Sequence, residues 1–134
     1  MTNPVPETDE VVSQGQEVFL GSCAQCHGAD ARGDTNIGRN MNPPAMNLSS
    51  PHVQHWNDAE LFWIIQNGVR LTGMPAWKSS VSDDNTWKLT RFIHNLPRLD
   101  AASASPNNSP VTGPSACFRA GQVHPQSTER PRVL

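Results

Sequence analysis

Apolar side chains are scarce in this chain, at 36% of 134 residues. That shortage argues against a domain standing on a large aliphatic core alone, and thin cores of this size usually need a staple. Long apolar runs are missing too. The longest, Leu61 to Ile65, falls far short of the roughly 20 residues a membrane span needs. Basic charge is not in excess: the formal charge is −2 and the pI near 6.2, which argues against nucleic acid or an anionic membrane as partner. Strand signals are absent. Only three cysteines occur, Cys23, Cys26 and Cys117, so no second cysteine pair is available to close a four-ligand zinc site.

The length fits one domain, and three parts are expected. Residues 1–8, with Pro4 and Pro6, read as a disordered lead-in. Residues 9–97 form the domain; residues 1–96 carry six basic and ten acidic side chains. Residues 98–134 hold five prolines among Ser, Asn and Ala, a composition that reads as a disordered tail or linker. Within the domain the apolar spacing predicts three main helices. The first covers about Asp9 to Ser22. The second starts from an Asn57 cap with Glu60 as its capping-box partner and ends at Gly68. The third starts from a Ser82 cap, with Asp83 and Asp84 at the positive end of its dipole, and is expected to stop at Pro97. Trp87 falls on its buried side, and Trp56 and Trp63 are also expected in the core. Gly28 to His55 reads as a long loop, unusual in a compact domain unless it wraps something.

The strongest local signal is Cys23-Ala24-Gln25-Cys26-His27. Two thiols three positions apart can add to the two vinyl groups of one porphyrin, and the adjacent His can then bind its iron. Two other readings compete. A zinc half-site would need Cys117 and a distant His to complete it. A redox dithiol would be expected beside a βαβ pattern, which is absent. Covalent haem is therefore the expected cofactor, and its large apolar plate would supply the staple that the composition calls for.

Beyond that motif, residues 13–97 resemble the bacterial single-haem class I cytochromes c. The resemblance rests on Gly15-Gln-Glu-Val-Phe19, Glu60-Leu-Phe-Trp-Ile-Ile-Gln-Asn-Gly68, Thr72-Gly-Met-Pro-Ala-Trp77 and Trp87-Lys-Leu-Thr-Arg-Phe-Ile-His-Asn-Leu-Pro97. It implies an all-α, cytochrome c-like fold of three main helices wrapped around one haem c, with long loops. It also implies Met74 as the second axial ligand beside His27, so that these two hold the metal. The residues alone speak for Met74 more weakly. It sits in a Gly/Pro-bounded loop, 47 positions past His27, and a thioether is a soft neutral ligand. Met41, Met46, His52 and His55 are rivals for that position.

In the family, a Pro carbonyl in the loop after the motif holds the ligating His. Here the candidates are Pro43 and Pro44, with Pro44 preferred; Met46 stands where some relatives have Pro, so its carbonyl is open too. Gly15 and Phe19 resemble the contact between first and last helices, with Phe92 as the partner ring. Arg70 and Trp77 are candidates to reach the haem propionates. His94, His124 and Cys117 are read as surface, unassigned or incidental.

A His/Met pair leaves iron no open position, so the expected function is electron transfer between ferric and ferrous states, not catalysis. A cytochrome domain of a larger oxidoreductase is the alternative, along with a haem sensor or peroxidase whose Met comes off. Expected partners are redox proteins met transiently by a monomer. The expected location is the periplasm or another extracytoplasmic space. Residues 1–12 are polar and acidic and carry no secretory signal. A removed signal, or a longer parent protein that could also tether the domain, is therefore expected.

Overall fold

The computed structural model describes residues 1–103; residues 104–134, with Cys117, His124 and most of the expected tail, lie outside the described residues. Helix α1 spans Asp9–Ser22, as the spacing predicts. Its start is set by Thr8, whose hydroxyl oxygen accepts the Val11 N–H at 3.2 Å. Asp9 and Glu10 add negative charge where the helix dipole is positive. Val11, Val12, Gly15 and Phe19 are buried on one face, and that face meets the last helix.

The last helix, α6, spans Asp83–Ser103 after five earlier elements: α1, then α2 (Ala24–His27), α3 (Asn36–Arg39), α4 (Pro51–Gln54) and α5 (Asp58–Asn67). No strand occurs among the described residues, and the architecture is all-α. A Cβ at Gly15 would collide with the Lys88 carbonyl and stand 2.9 Å from the Phe92 Cβ; glycine is what lets α1 and α6 cross this closely. One turn further along α1, the Phe19 and Phe92 rings pack at 5.1 Å between centroids, tilted 47°.

α5 begins on the expected capping box. Asn57 Oδ1 accepts from the Ala59 and Glu60 N–H groups, and Glu60 Oε2 accepts from the Asn57 N–H at 2.8 Å. Gly68, at φ 70°, ends it with its N–H on the Ile64 carbonyl. Trp87 stacks on Phe62 at 4.0 Å and is buried. Trp56 is half-buried against the core. Trp63 departs from expectation: it is 62% exposed, because Leu61 and Ile65 take the inward face of α5 and the position between them turns outward. The stretch from Gly28 to His55 holds two single helical turns, α3 and α4, within the expected loop.

Pro97 does not end α6, which runs on for two turns to Ser103. Proline has no N–H to give the carbonyl four residues back. Here that carbonyl belongs to Ile93, and Gln54 of α4 donates to it from its side-chain amide at 2.9 Å. The same nitrogen donates to the Leu48 carbonyl at 2.8 Å. The extra turns then do work of their own. Leu99 packs on the core, and Asp100 accepts from Ser49 Oγ at 2.9 Å with Arg32 3.8 Å away. The expected boundary at residue 97 therefore moves outward to at least Ser103. A chain ending at Leu96 should lose about 2 kcal/mol of stability relative to one ending at Ser103, through lost core contact and an unpaired Ser49. In a domain of this size that lowers the thermal midpoint by roughly 10 °C, which a melt of the two chains followed by circular dichroism measures.

Residues 1–8 are likewise not the disordered lead-in that their prolines suggest. Asn3 donates to Trp87 O and Thr90 Oγ1 at 3.2 and 2.9 Å. Arg91 donates to the Val5 carbonyl from two nitrogens at 3.1 and 3.0 Å. Asn95 donates to Glu7. The segment is strapped along α6 by side chains that local composition does not reveal. His94, expected as surface or unassigned, is half-buried with Arg91 on the Asp58 carboxylate, both at 3.0 Å.

Candidate functional site

Cys23, Cys26 and His27 lie on a single turn of helix. Cys23 closes α1 and opens α2, and its carbonyl accepts the N–H groups of Cys26 and His27 at 3.2 and 3.0 Å. Positions i, i+3 and i+4 share a helix face, so the two sulfurs and the imidazole project together. The loop after them pins the turn. Thr35 Oγ1 donates to the Cys26 carbonyl at 2.9 Å and the Gly33 N–H to the His27 carbonyl at 2.6 Å.

The face they share is the wall of an apolar cavity that opens to solvent at its mouth. Phe19, Leu61, Ile65, Leu89 and Ile93 supply its depth from the three long helices. The loop between α3 and α4 contributes Met41 and residues 43–46, and the loop between α5 and α6 contributes Val69, Thr72, Gly73, Met74, Pro75 and Trp77. Met74 thus lines the same cavity as His27. Of its rivals, Met41 and Met46 also line it, whereas His52 and His55 are absent from its walls.

His27 Nδ1 stands 3.0 Å from the Met46 carbonyl oxygen. A carbonyl can only accept, so Nδ1 carries the proton in the neutral ring and Nε2 keeps its lone pair for a metal. Burial pushes the imidazole below its ordinary pKa, against the Met46 hydrogen bond that raises it. The carbonyl is that of Met46 and not of Pro44. Pro43 and Pro44 line the cavity, and the chain comes within reach of the ring only two residues later. Trp77 is half-buried at the cavity. Arg70 is exposed and is not among the lining residues, because it lies beyond Gly68 on the solvent side of the loop.

The cysteines bear on the competing chemistries. Burial, reinforced by Cys26, pushes the Cys23 thiol up to about 11. A thiol so protonated is a poor redox nucleophile. Among the described residues no group of three or more His, Cys, Asp or Glu comes together as a metal cluster. The donor set is instead two thiols and one neutral imidazole on a single turn, with thioethers in the same apolar cavity. These residues fit a porphyrin: an apolar slot for the plate, sulfurs for its vinyl carbons and a bare nitrogen for iron.

Comparison with known proteins points the same way. The family model described as "Cytochrome C oxidase, cbb3-type, subunit III" matches residues 10–93. The cbb3-type cytochrome c oxidase subunit FixP of Rhizobium meliloti (strain 1021) is 36% identical over 92 residues, which is 68% of this chain and 29% of that protein. The subunit CcoP of Azospirillum brasilense is 31% identical over 90 residues, 66% of this chain and 30% of that protein. The chain therefore spans less than a third of the length of these curated relatives. Among solved structures, a chain of the Kuenenia stuttgartiensis reducing HAO-like protein complex Kustc0457/Kustc0458 superposes with a TM-score of 0.61. It is 20% identical and covers 69% of this chain and 46% of that one. That likeness concerns the fold.

Proposed function

The chain belongs to the cytochrome c family described as cbb3-type cytochrome c oxidase subunit III, and from that premise we propose that its cavity would hold one haem c, bonded through Cys23 and Cys26, with His27 and Met74 as the side chains that would hold its iron. The fold is cytochrome c-like and all-α, and the function is haem c electron transfer. Bound there, the haem supplies an iron that accepts and returns one electron. The chain's own residues do the rest. Met46 fixes the His27 tautomer through its carbonyl, so the lone pair at Nε2 is presented without a proton to displace. The buried walls of α1, α5 and α6 keep water from the ring. Met74 brings a soft neutral sulfur, which favours the reduced state over harder donors. Trp77 serves a propionate through its indole N–H, and Arg70 reaches one only by extending from its exposed position.

The observation that carries this reading is the single turn bearing Cys23, Cys26 and His27 on the wall of an apolar cavity that Met74 also lines. The relatives' names favour the domain of an oxidase subunit over a freely diffusing carrier. We therefore place it as an extracytoplasmic electron-transfer domain in an oxidoreductase assembly, not an enzyme in its own right. No described helix is long and apolar enough to cross a membrane. Met46 and Val69 line the cavity and are 41% and 42% exposed, which gives the mouth an apolar rim suited to brief contacts of small area with redox partners.

Holoprotein should titrate as a reversible one-electron couple, and its reduced form should not bind carbon monoxide. Avid binding of carbon monoxide would replace this reading with that of a sensor or peroxidase.

A further inference from the structure

The loop between α3 and α4 meets the loop between α5 and α6 at a contact the proposed function does not use. Met41 lines the cavity beside Met74, and its side chain lies across Gly73. A Cβ built at Gly73 would stand 2.7 Å from Met41 Sδ and 3.1 Å from its Cγ and Cε. Met41 thus fills the space that a side chain at 73 would take, one residue before Met74. Its own backbone is tied back toward the haem-motif turn. The Met41 N–H reaches the Gly38 carbonyl at 3.4 Å. The Gly38 N–H bonds Thr35 Oγ1, which donates to the Cys26 carbonyl.

On its other side the Met74 loop is fastened to α5, with the Trp77 N–H on the Ile65 carbonyl at 3.1 Å. Its crest rises into water at Leu71, which is 96% exposed with φ 61°. Within the loop, backbone and Thr72 bonds tie Met74 across the crest, with the Met74 N–H on Thr72 Oγ1 and the Val69 N–H on the Met74 carbonyl, both at 3.2 Å, while Met41 bears on the loop from outside it, where its chain returns from the crest to the cavity.

We propose that Met41 is a positioning residue: by packing on Gly73 it holds the Met74 loop closed and sets how often the sixth position of the iron opens to outside ligands. The inference rests on Met74 being the axial ligand. An outside ligand binds only the open form, so its apparent affinity scales with the open fraction.

The test uses ferric holoprotein and imidazole as the probe. Met41→Ala should bind imidazole about tenfold more tightly than the parent, because the open fraction rises by that factor. Met41→Leu, of similar volume, should stay within about threefold of the parent. Without imidazole both should keep the weak red absorption band of sulfur–iron charge transfer. Gly73→Ala drives a methyl into the Met41 side chain and should repeat the gain with Met41 intact. Unchanged affinity in Met41→Ala overturns the proposal, and so does an equal gain in Met41→Leu. Loss of the band in Met41→Leu would make Met41 itself the ligand. If the parent shows no such band, and Met74→Ala binds imidazole no better than the parent, then it is the Met74 ligation that has failed, a separate result that takes this inference with it.

Discussion

Replacing both Cys23 and Cys26 with alanine is expected to yield a protein whose haem, if retained at all, passes entirely into acidified acetone, while that of the parent stays with the polypeptide. Acid breaks iron–ligand bonds by protonating His27 but leaves carbon–sulfur bonds intact, so extraction reads thioether attachment directly. Each single substitution, Cys23→Ala or Cys26→Ala, should leave one bond and one free vinyl group. A vinyl conjugated with the ring moves the reduced bands to longer wavelength, so the single variants should be red-shifted and poorly assembled. The stability effect should be large. The cavity lies among Phe19, Leu61, Ile65, Leu89 and Ile93, and helices that face an unfilled space forfeit the packing that holds them. With apolar residues at 36% of the chain, little core remains elsewhere to compensate. Complete extraction from the parent would sink covalent attachment.

Met74→Ala is expected to remove the weak red band of the ferric protein, open the iron to carbon monoxide in the ferrous protein, and lower the reduction potential. The fall should be on the order of 100 mV, a fraction of the roughly 0.8 V over which axial ligands set haem potentials. Its sign follows from the loss of a soft neutral donor that favours ferrous iron. The comparison variant is Met46→Ala. Met46 acts on His27 through its backbone carbonyl at 3.0 Å, which alanine also has, so its band should persist. If Met46→Ala or His55→Ala loses the band and Met74→Ala keeps it, the axial assignment is wrong.

What could be read from the sequence divides by the range of the interactions. The ends of α5 are legible because Asn57, Glu60 and Gly68 act within a few residues of themselves. The α1–α6 crossing is legible for a related reason: glycine and two aromatic rings at matched positions, Gly15, Phe19 and Phe92, admit few arrangements. The end of α6 is not legible. The amide that satisfies the Ile93 carbonyl comes from Gln54, 39 residues earlier, and nothing near Pro97 announces it. The strap of residues 1–8 is hidden in the same way, because Asn3 and Val5 find their partners more than 80 positions on. At the site, the motif names Cys23, Cys26 and His27. Which carbonyl meets the imidazole depends on how the loop is folded, and the choice of Pro44 over Met46 fails by two residues. Trp63 misleads because an apolar run cannot say which member of it turns outward.

The bond from Gln54 to Ile93 makes positions 54 and 97 dependent on each other over evolutionary change. While proline stands at 97, the Ile93 carbonyl lacks the donor four residues on that a helix normally supplies, and a buried acceptor stripped of its partner costs about 1–3 kcal/mol. Substitution at 54 is then constrained from a distance. Once 97 becomes any residue with an N–H, the helix satisfies Ile93 by itself and Gln54 is held only by Leu48. The order of the two changes therefore decides whether the chain passes through a weakened intermediate. Drift at 97 first leaves a stable path open, and drift at 54 first does not. Within this family a proline at 97 should accordingly travel with a side-chain donor at 54, two positions whose link lies in the fold and not in the haem.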